Sequence, residues 1–155
     1  MNLYIHVGIH KTGSSYLQTL FARNRDLLAE HSIYYSKSER DKEMLKGRIS
    51  PGNALKLNKL LRDSKYEEVK KYLQRLVLQA EKINCKSVLL SNEGLFHIFA
   101  KEGTVLNFIE IYKTSRFKNI HGLVYFRDPL DHILSLYKNR AKSGKHLDFK
   151  IWLYV

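Results

Sequence analysis

Two stretches of this chain carry residues whose types and spacing suit the grip of a phosphate-bearing ligand. The first is Gly8-Ile9-His10-Lys11-Thr12-Gly13-Ser14-Ser15. Glycines at both ends let backbone N–H groups turn inward on an anion, and a helix starting at Ser14 presents its positive end to it. Ser14 and Ser15 add hydroxyl donors, and Lys11 adds a cation. The second stretch is Arg127-Asp128-Pro129, with Ser135 further along. Arginine offers a forked cationic grip on phosphate. Asp128 suits a helix N-cap and Pro129 the first helical position, which puts Ser135 about two turns into that helix. Between the two lies Glu93, a carboxylate just after an apolar run, with His97 one turn further on. Either group can accept a proton from a reacting hydroxyl.

The first loop has the glycine spacing of a Walker A loop, G-x-x-x-x-G-K-[ST], but Ser14 stands in the lysine position and Lys11 sits inside the loop. That substitution argues against ordinary ATP or GTP hydrolysis, which relies on the missing lysine and on Mg²⁺. Each stretch also has a plainer reading. The loop alone is a strand–turn–helix corner, Arg-Asp-Pro alone is a helix start, and Glu93 alone is a helix cap.

Together the stretches resemble a known family. His6-Val7-Gly8-Ile9-His10-Lys11-Thr12-Gly13-Ser14-Ser15-Tyr16-Leu17-Gln18 resembles the 5′-phosphosulfate loop of sulfotransferases that use 3′-phosphoadenosine 5′-phosphosulfate (PAPS). The run from Val124 to Tyr137, with Arg127, Asp128-Pro129 and Ser135, is similar to that family's 3′-phosphate motif. The resemblance implies a P-loop-like sulfotransferase fold and transfer of a sulfuryl group from PAPS to a hydroxyl or amine. It implies that Lys11 holds the transferring group, that Thr12, Gly13, Ser14, Ser15 and Tyr16 bind the 5′ end, and that Arg127 and Ser135 bind the 3′-phosphate. Leu89-Leu90-Ser91-Asn92-Glu93-Gly94-Leu95 resembles a string of bacterial members and makes Glu93 the first choice of base, with His97 as the substitute. His10 is placed to touch nucleotide or acceptor, and Glu30 is a weaker candidate base. No metal is expected. Family domains of this type continue past the second motif, so the expectation is one domain over 1–155 that lacks the family's C-terminal part.

The elements that must position these residues alternate. Leu3 to Val7, Ile33 to Tyr35, Ser87 to Ser91 and Ile120 to Phe126 read as strands. Helical spacing runs over Ser14 to Leu28, 52–62, 65–83, 103–115 and from Pro129 to about Gly144, with a further helix beginning in 147–155. The polar stretch 36–50 reads as a surface loop or insertion, and 36–66 as the place for acceptor contacts. Alternation of this kind predicts an α/β fold: three layers, with a central parallel sheet covered on both faces and ligands beyond the strands' carboxyl ends. Gly8–Ser15, Ser91–Glu93 and Arg127 all fall at such ends.

Composition narrows the class. The net charge of +12 favours anionic partners, an anionic glycan acceptor among them; nucleic acid is not expected. Cys85 is the only cysteine, which excludes an intrachain disulfide and suits a reducing compartment. No apolar run approaches the roughly 20 residues of a membrane span, and no signal-peptide pattern opens the chain. A cytoplasmic location is therefore expected. Two rival readings stay open: a P-loop small-molecule kinase with Glu93 on Mg²⁺, and a non-catalytic nucleotide-binding remnant.

Overall fold

The computed structural model describes residues 1–9, 11–46, 52–144 and 149. Strands β1 (Asn2–Gly8), β2 (Ile33–Tyr34), β3 (Ser87–Ser91) and β4 (Asn119–Tyr125) form one parallel sheet in the order β2-β3-β1-β4. In its register His6 stands between Ser91 and Leu123, and Gly8 is level with Tyr125. The loops after β1, β3 and β4 therefore leave from neighbouring points on one edge of the sheet. This is the all-parallel α/β architecture that the alternating elements predict.

Side-chain alternation along the strands assigns the two faces. Leu3, Ile5, Val88 and Leu90 point into the larger core with Leu57, Leu61, Leu73, Leu76 and Phe108. Those partners come from α4 (Leu55–Arg62), α5 (Tyr66–Glu81) and α7 (Glu102–Lys113), and Leu95 from α6 (Leu95–Phe99) joins them. Tyr4 and Leu89 point the other way, against Ala22 of α1 (Ser14–Arg23) and Met44 of α3 (Asp41–Leu45). Layers of helix thus lie on both faces of β1 and β3. β3, buried at all five of its residues, is the continuous apolar run expected of a central parallel strand.

Four expectations need correction. The helix expected over Ser14 to Leu28 is two, α1 and α2 (Arg25–Glu30). Asn24 lies between them with φ −112° and ψ 36°, and its side-chain amide donates to Leu20 O at 2.7 Å. Local bonding of that kind competes with the helical ladder. The surface stretch 36–50 contains α3, whose Met44 is fully buried. The helix expected from 52 starts only at Leu55, because the preceding residues are docked on β3. Asn53 accepts from Ser91 N at 2.8 Å and donates to Leu89 O at 2.9 Å, and Ala54 N donates to Ser91 O at 3.1 Å. β2 pairs with β3 only at Ser87 and Val88, so a side-chain amide takes the place of a strand higher up. Finally, among the described residues helix cover stops at β4, where all seven residues are exposed, and at α8 (Pro129–Lys142), which has no buried residue. The helix expected in 147–155 falls outside the described residues except for Phe149, which is helical and packs edge-on to Tyr137 at 4.9 Å.

None of the described helices is long and apolar enough to cross a membrane.

Candidate functional site

The loop after β1 is shaped by close contact. A Cβ placed on Gly8 would meet Ser14 Oγ at 2.5 Å and Glu93 Cγ at 3.4 Å. A side chain at position 8 would force Ser14 to shift, and Ser14, in the lysine position of a Walker A loop, is buried against Gly8. Thr12 Oγ1 donates to Ile9 O at 2.7 Å and lies 3.3 Å from Ser14 Oγ, closing the loop on itself. Lys11 and Gly13 both take left-handed backbone angles, φ 70° and 87°. Gly13 is suited to this, while Lys11 carries a modest strain.

That geometry leaves the start of α1 open. Gly13 is its N-cap and supplies no side-chain bond. No backbone carbonyl among the described residues accepts from the amides of Thr12, Gly13, Ser14 or Ser15. The amides of Tyr16 and Leu17 are already bonded to Gly13 O at 3.0 and 3.2 Å. With no such partner among the described residues, the four amides of Thr12 to Ser15 at the positive end of a ten-residue helix suit an anion cradle. Tyr16, whose amide is thus occupied, exposes its ring.

α8 closes one side of the cradle. Asp128 caps it by accepting from Leu130 N at 3.0 Å and Asp131 N at 3.2 Å, with Pro129 at the first helical position, as the sequence predicts. Arg127 then reaches back to Lys11 O at 3.4 Å and lies 3.8 Å from Asp131. Lys11 Nζ donates to Asn139 Oδ1 at 2.9 Å. Asp131, Ser135 and Asn139 are spaced four apart and share one face of α8, and Arg127, just before the N-cap, continues the same spacing. Ser135 thus lies on the stripe that faces the loop, between two residues that bond to it or to its arginine. Asn139 was not singled out in the sequence, although its four-residue step from Ser135 is the signal that would have found it. These contacts are long or exposed and hold little energy on their own.

Glu93, half-buried, lies over Gly8 and exerts a charge effect on His6. His97 lies on the exposed side of α6, its ring edge-on to Phe96 at 5.6 Å. The Gly8 contact thus brings Glu93 to the loop. Glu30 ends α2 on the surface, and His10 lies outside the described residues. Among the described residues, no group of three or more His, Cys, Asp or Glu could hold a metal ion.

Below the loop lies a buried polar cluster that the sequence did not reveal. His6 Nδ1 and Gln18 Nε2 both bond Ser91 Oγ, at 2.8 and 3.1 Å. His6 Nε2 and Gln18 Oε1 are buried without a hydrogen-bond partner among the described residues. Burial pushes the His6 pKa below its usual 6.5, and the Glu93 carboxylate works weakly in the opposite direction.

Neither a protein-family model, nor a curated protein, nor a solved structure matches this chain.

Proposed function

We propose that this chain is a PAPS-dependent sulfotransferase, moving a sulfuryl group to a hydroxyl or amine of an acceptor. The observation that carries the reading is the loop itself. Open amides at the start of α1 surround a Gly8–Ser14 contact in which serine, not lysine, fills the helix start, and Glu93 stands over the same glycine. A carboxylate beside an anion cradle suits a reaction that takes a proton from the acceptor. Arg127 and Ser135 on the adjoining helix face suit a second phosphate at a distance from the first.

In this reading the 5′-phosphosulfate lies across the amides of Thr12 to Ser15, and the 3′-phosphate lies on Arg127 and Ser135. The acceptor oxygen or nitrogen attacks sulfur. The bond from sulfur to the bridging 5′-phosphate oxygen breaks, and its electron pair leaves with adenosine 3′,5′-diphosphate. The acceptor proton passes to the Glu93 carboxylate. Lys11 neutralises charge on the leaving oxygen after its ammonium swings from Asn139 into the loop. As in phosphoryl transfer, positioning and charge stabilisation carry most of the rate. An anionic glycan suits the net charge of +12 as acceptor.

PAPS turnover by Glu93→Gln and Lys11→Ala tests the proposal. Each is expected to lose on the order of 10²-fold or more in kcat while the chain stays folded. Full turnover by Lys11→Ala would remove the basis of the reading. Full turnover by Glu93→Gln would shift the base to His97.

A further inference from the structure

A cavity lies at the opposite edge of the sheet from Arg127, outside β2. Its volume is about 540 Å³, and it runs between the 35–39 loop, α4 and α5. A second hollow of about 250 Å³ shares Lys56, Tyr72 and Arg75 with it and adds Lys71. The two form one trough along the outer face of α5.

The charges in that trough are unbalanced. Among the described residues Lys37, Lys56, Lys71 and Arg75 have no carboxylate within ion-pair distance, although all four line it. Its acidic residues are mostly taken. Glu39 pairs with Lys59 at 3.3 Å and Glu68 with Lys65 at 3.7 Å, which leaves Asp26. The Arg75 guanidinium is held over the Tyr72 ring at 5.8 Å, so it is oriented while keeping its donors free. Ser36, Ser38 and Gln79 supply neutral polar groups between the cations.

We propose that this trough binds an acidic oligosaccharide, a linear sugar bearing repeated carboxylate or sulfate groups. Cations spread over two joined hollows suit charges repeated along a chain rather than one compact anion. Hydroxyl and amide groups between them suit sugar hydroxyls. Single-stranded nucleic acid would need exposed rings to stack on. Of the three tyrosines lining the trough, Tyr35 and Tyr72 are only 2% and 6% exposed and Tyr34 is half-buried. The inference does not rest on sulfuryl transfer, because the trough and its charges stand apart from the loop after β1.

The test is fluorescence-anisotropy binding of a labelled heparin hexasaccharide to the full chain, without PAPS. Lys56→Glu/Arg75→Glu changes two exposed side chains and should weaken binding at least about tenfold. Lys101→Glu/Lys118→Glu removes the same charge elsewhere and should weaken it less than about threefold. Equal losses in the two variants would reduce the effect to diffuse surface charge and overturn the proposal. So would displacement of the hexasaccharide by millimolar inorganic phosphate at constant ionic strength. An oligonucleotide of equal charge that binds more tightly, with the same sensitivity to Lys56→Glu/Arg75→Glu, would also overturn it. Circular dichroism confirms that both variants fold.

Discussion

Gly8 and Ser14 set the shape of the loop at the scale of single residues. An added methyl at position 8 would meet Ser14 Oγ at 2.5 Å and Ser14 Cβ at 3.3 Å. Gly8→Ala should therefore cost about 1–3 kcal/mol, read from a urea midpoint, and should weaken nucleotide binding in parallel. Ser14→Gly in the same chain should return part of that stability. Arg127→Ala should weaken binding of adenosine 3′,5′-diphosphate by about 1.5–3 kcal/mol, the range for a hydrogen bond to a charged group, measured by calorimetry. His6 gives a pH signature. Burial depresses its folded pKa below 6.5, so the unfolded chain takes up a proton that the folded chain refuses. The stability it contributes is present above pH 6.5 and is lost as pH falls through the folded value. His6→Gln should flatten this part of the pH dependence in urea melts between pH 7.5 and 5.5. Much of this scale was legible in sequence, because Gly8, Gly13, Asp128 and Pro129 each have a local backbone reason to be where they are. His6 was not, since a histidine inside a strand gives no sign of what its ring will meet across the sheet.

Strands and long helices follow their sequence periods, and the departures come from contacts between distant segments. β3 and α5 lie nearly where apolar spacing puts them. The docking of Gly52, Asn53 and Ala54 on β3 has no periodic signal, because one amide side chain does the work of a strand. Asn53→Ala would leave Leu89 O and Ser91 N without that partner and should cost about 2–6 kcal/mol in a denaturant titration, from about 1–3 for each unpaired buried group. Gly52 has φ +72°, and a Cβ there would lie 2.0 Å from Ser91 O. Gly52→Ala should be at least as damaging. Ser91 is bonded to His6 and Gln18 beneath the loop, so both changes should also lower nucleotide affinity. The division of α1 from α2 was hidden for a similar reason. Leucine spacing runs on through Asn24, while the break is a side-chain bond to Leu20 O.

Across the whole molecule the site lies where covered and uncovered structure meet. β1 and β3 are sandwiched between two cores, whereas Phe126 after β4 and Leu130 and Leu134 of α8 are 77%, 72% and 42% exposed. The two sides of the proposed nucleotide site thus differ in stability, and a ligand touching both should tie them together. Hydrogen exchange in α8 and β4 should be fast in the free chain and slow when adenosine 3′,5′-diphosphate is bound, with little change in β3. The architecture of the covered half was readable from alternating elements. The bare side was not, because Ile120 to Phe126 reads as a buried strand whether or not anything packs on it. The central claim is that the loop after β1 and the start of α8 hold the two ends of one adenosine 3′,5′-bisphosphate nucleotide. Calorimetric titration with adenosine 3′,5′-diphosphate, with and without Mg²⁺, tests this most directly. One binding event per chain is expected, independent of Mg²⁺ and weakened in Arg127→Ala. Absence of that binding, together with Mg²⁺-dependent binding of ATP, would contradict it.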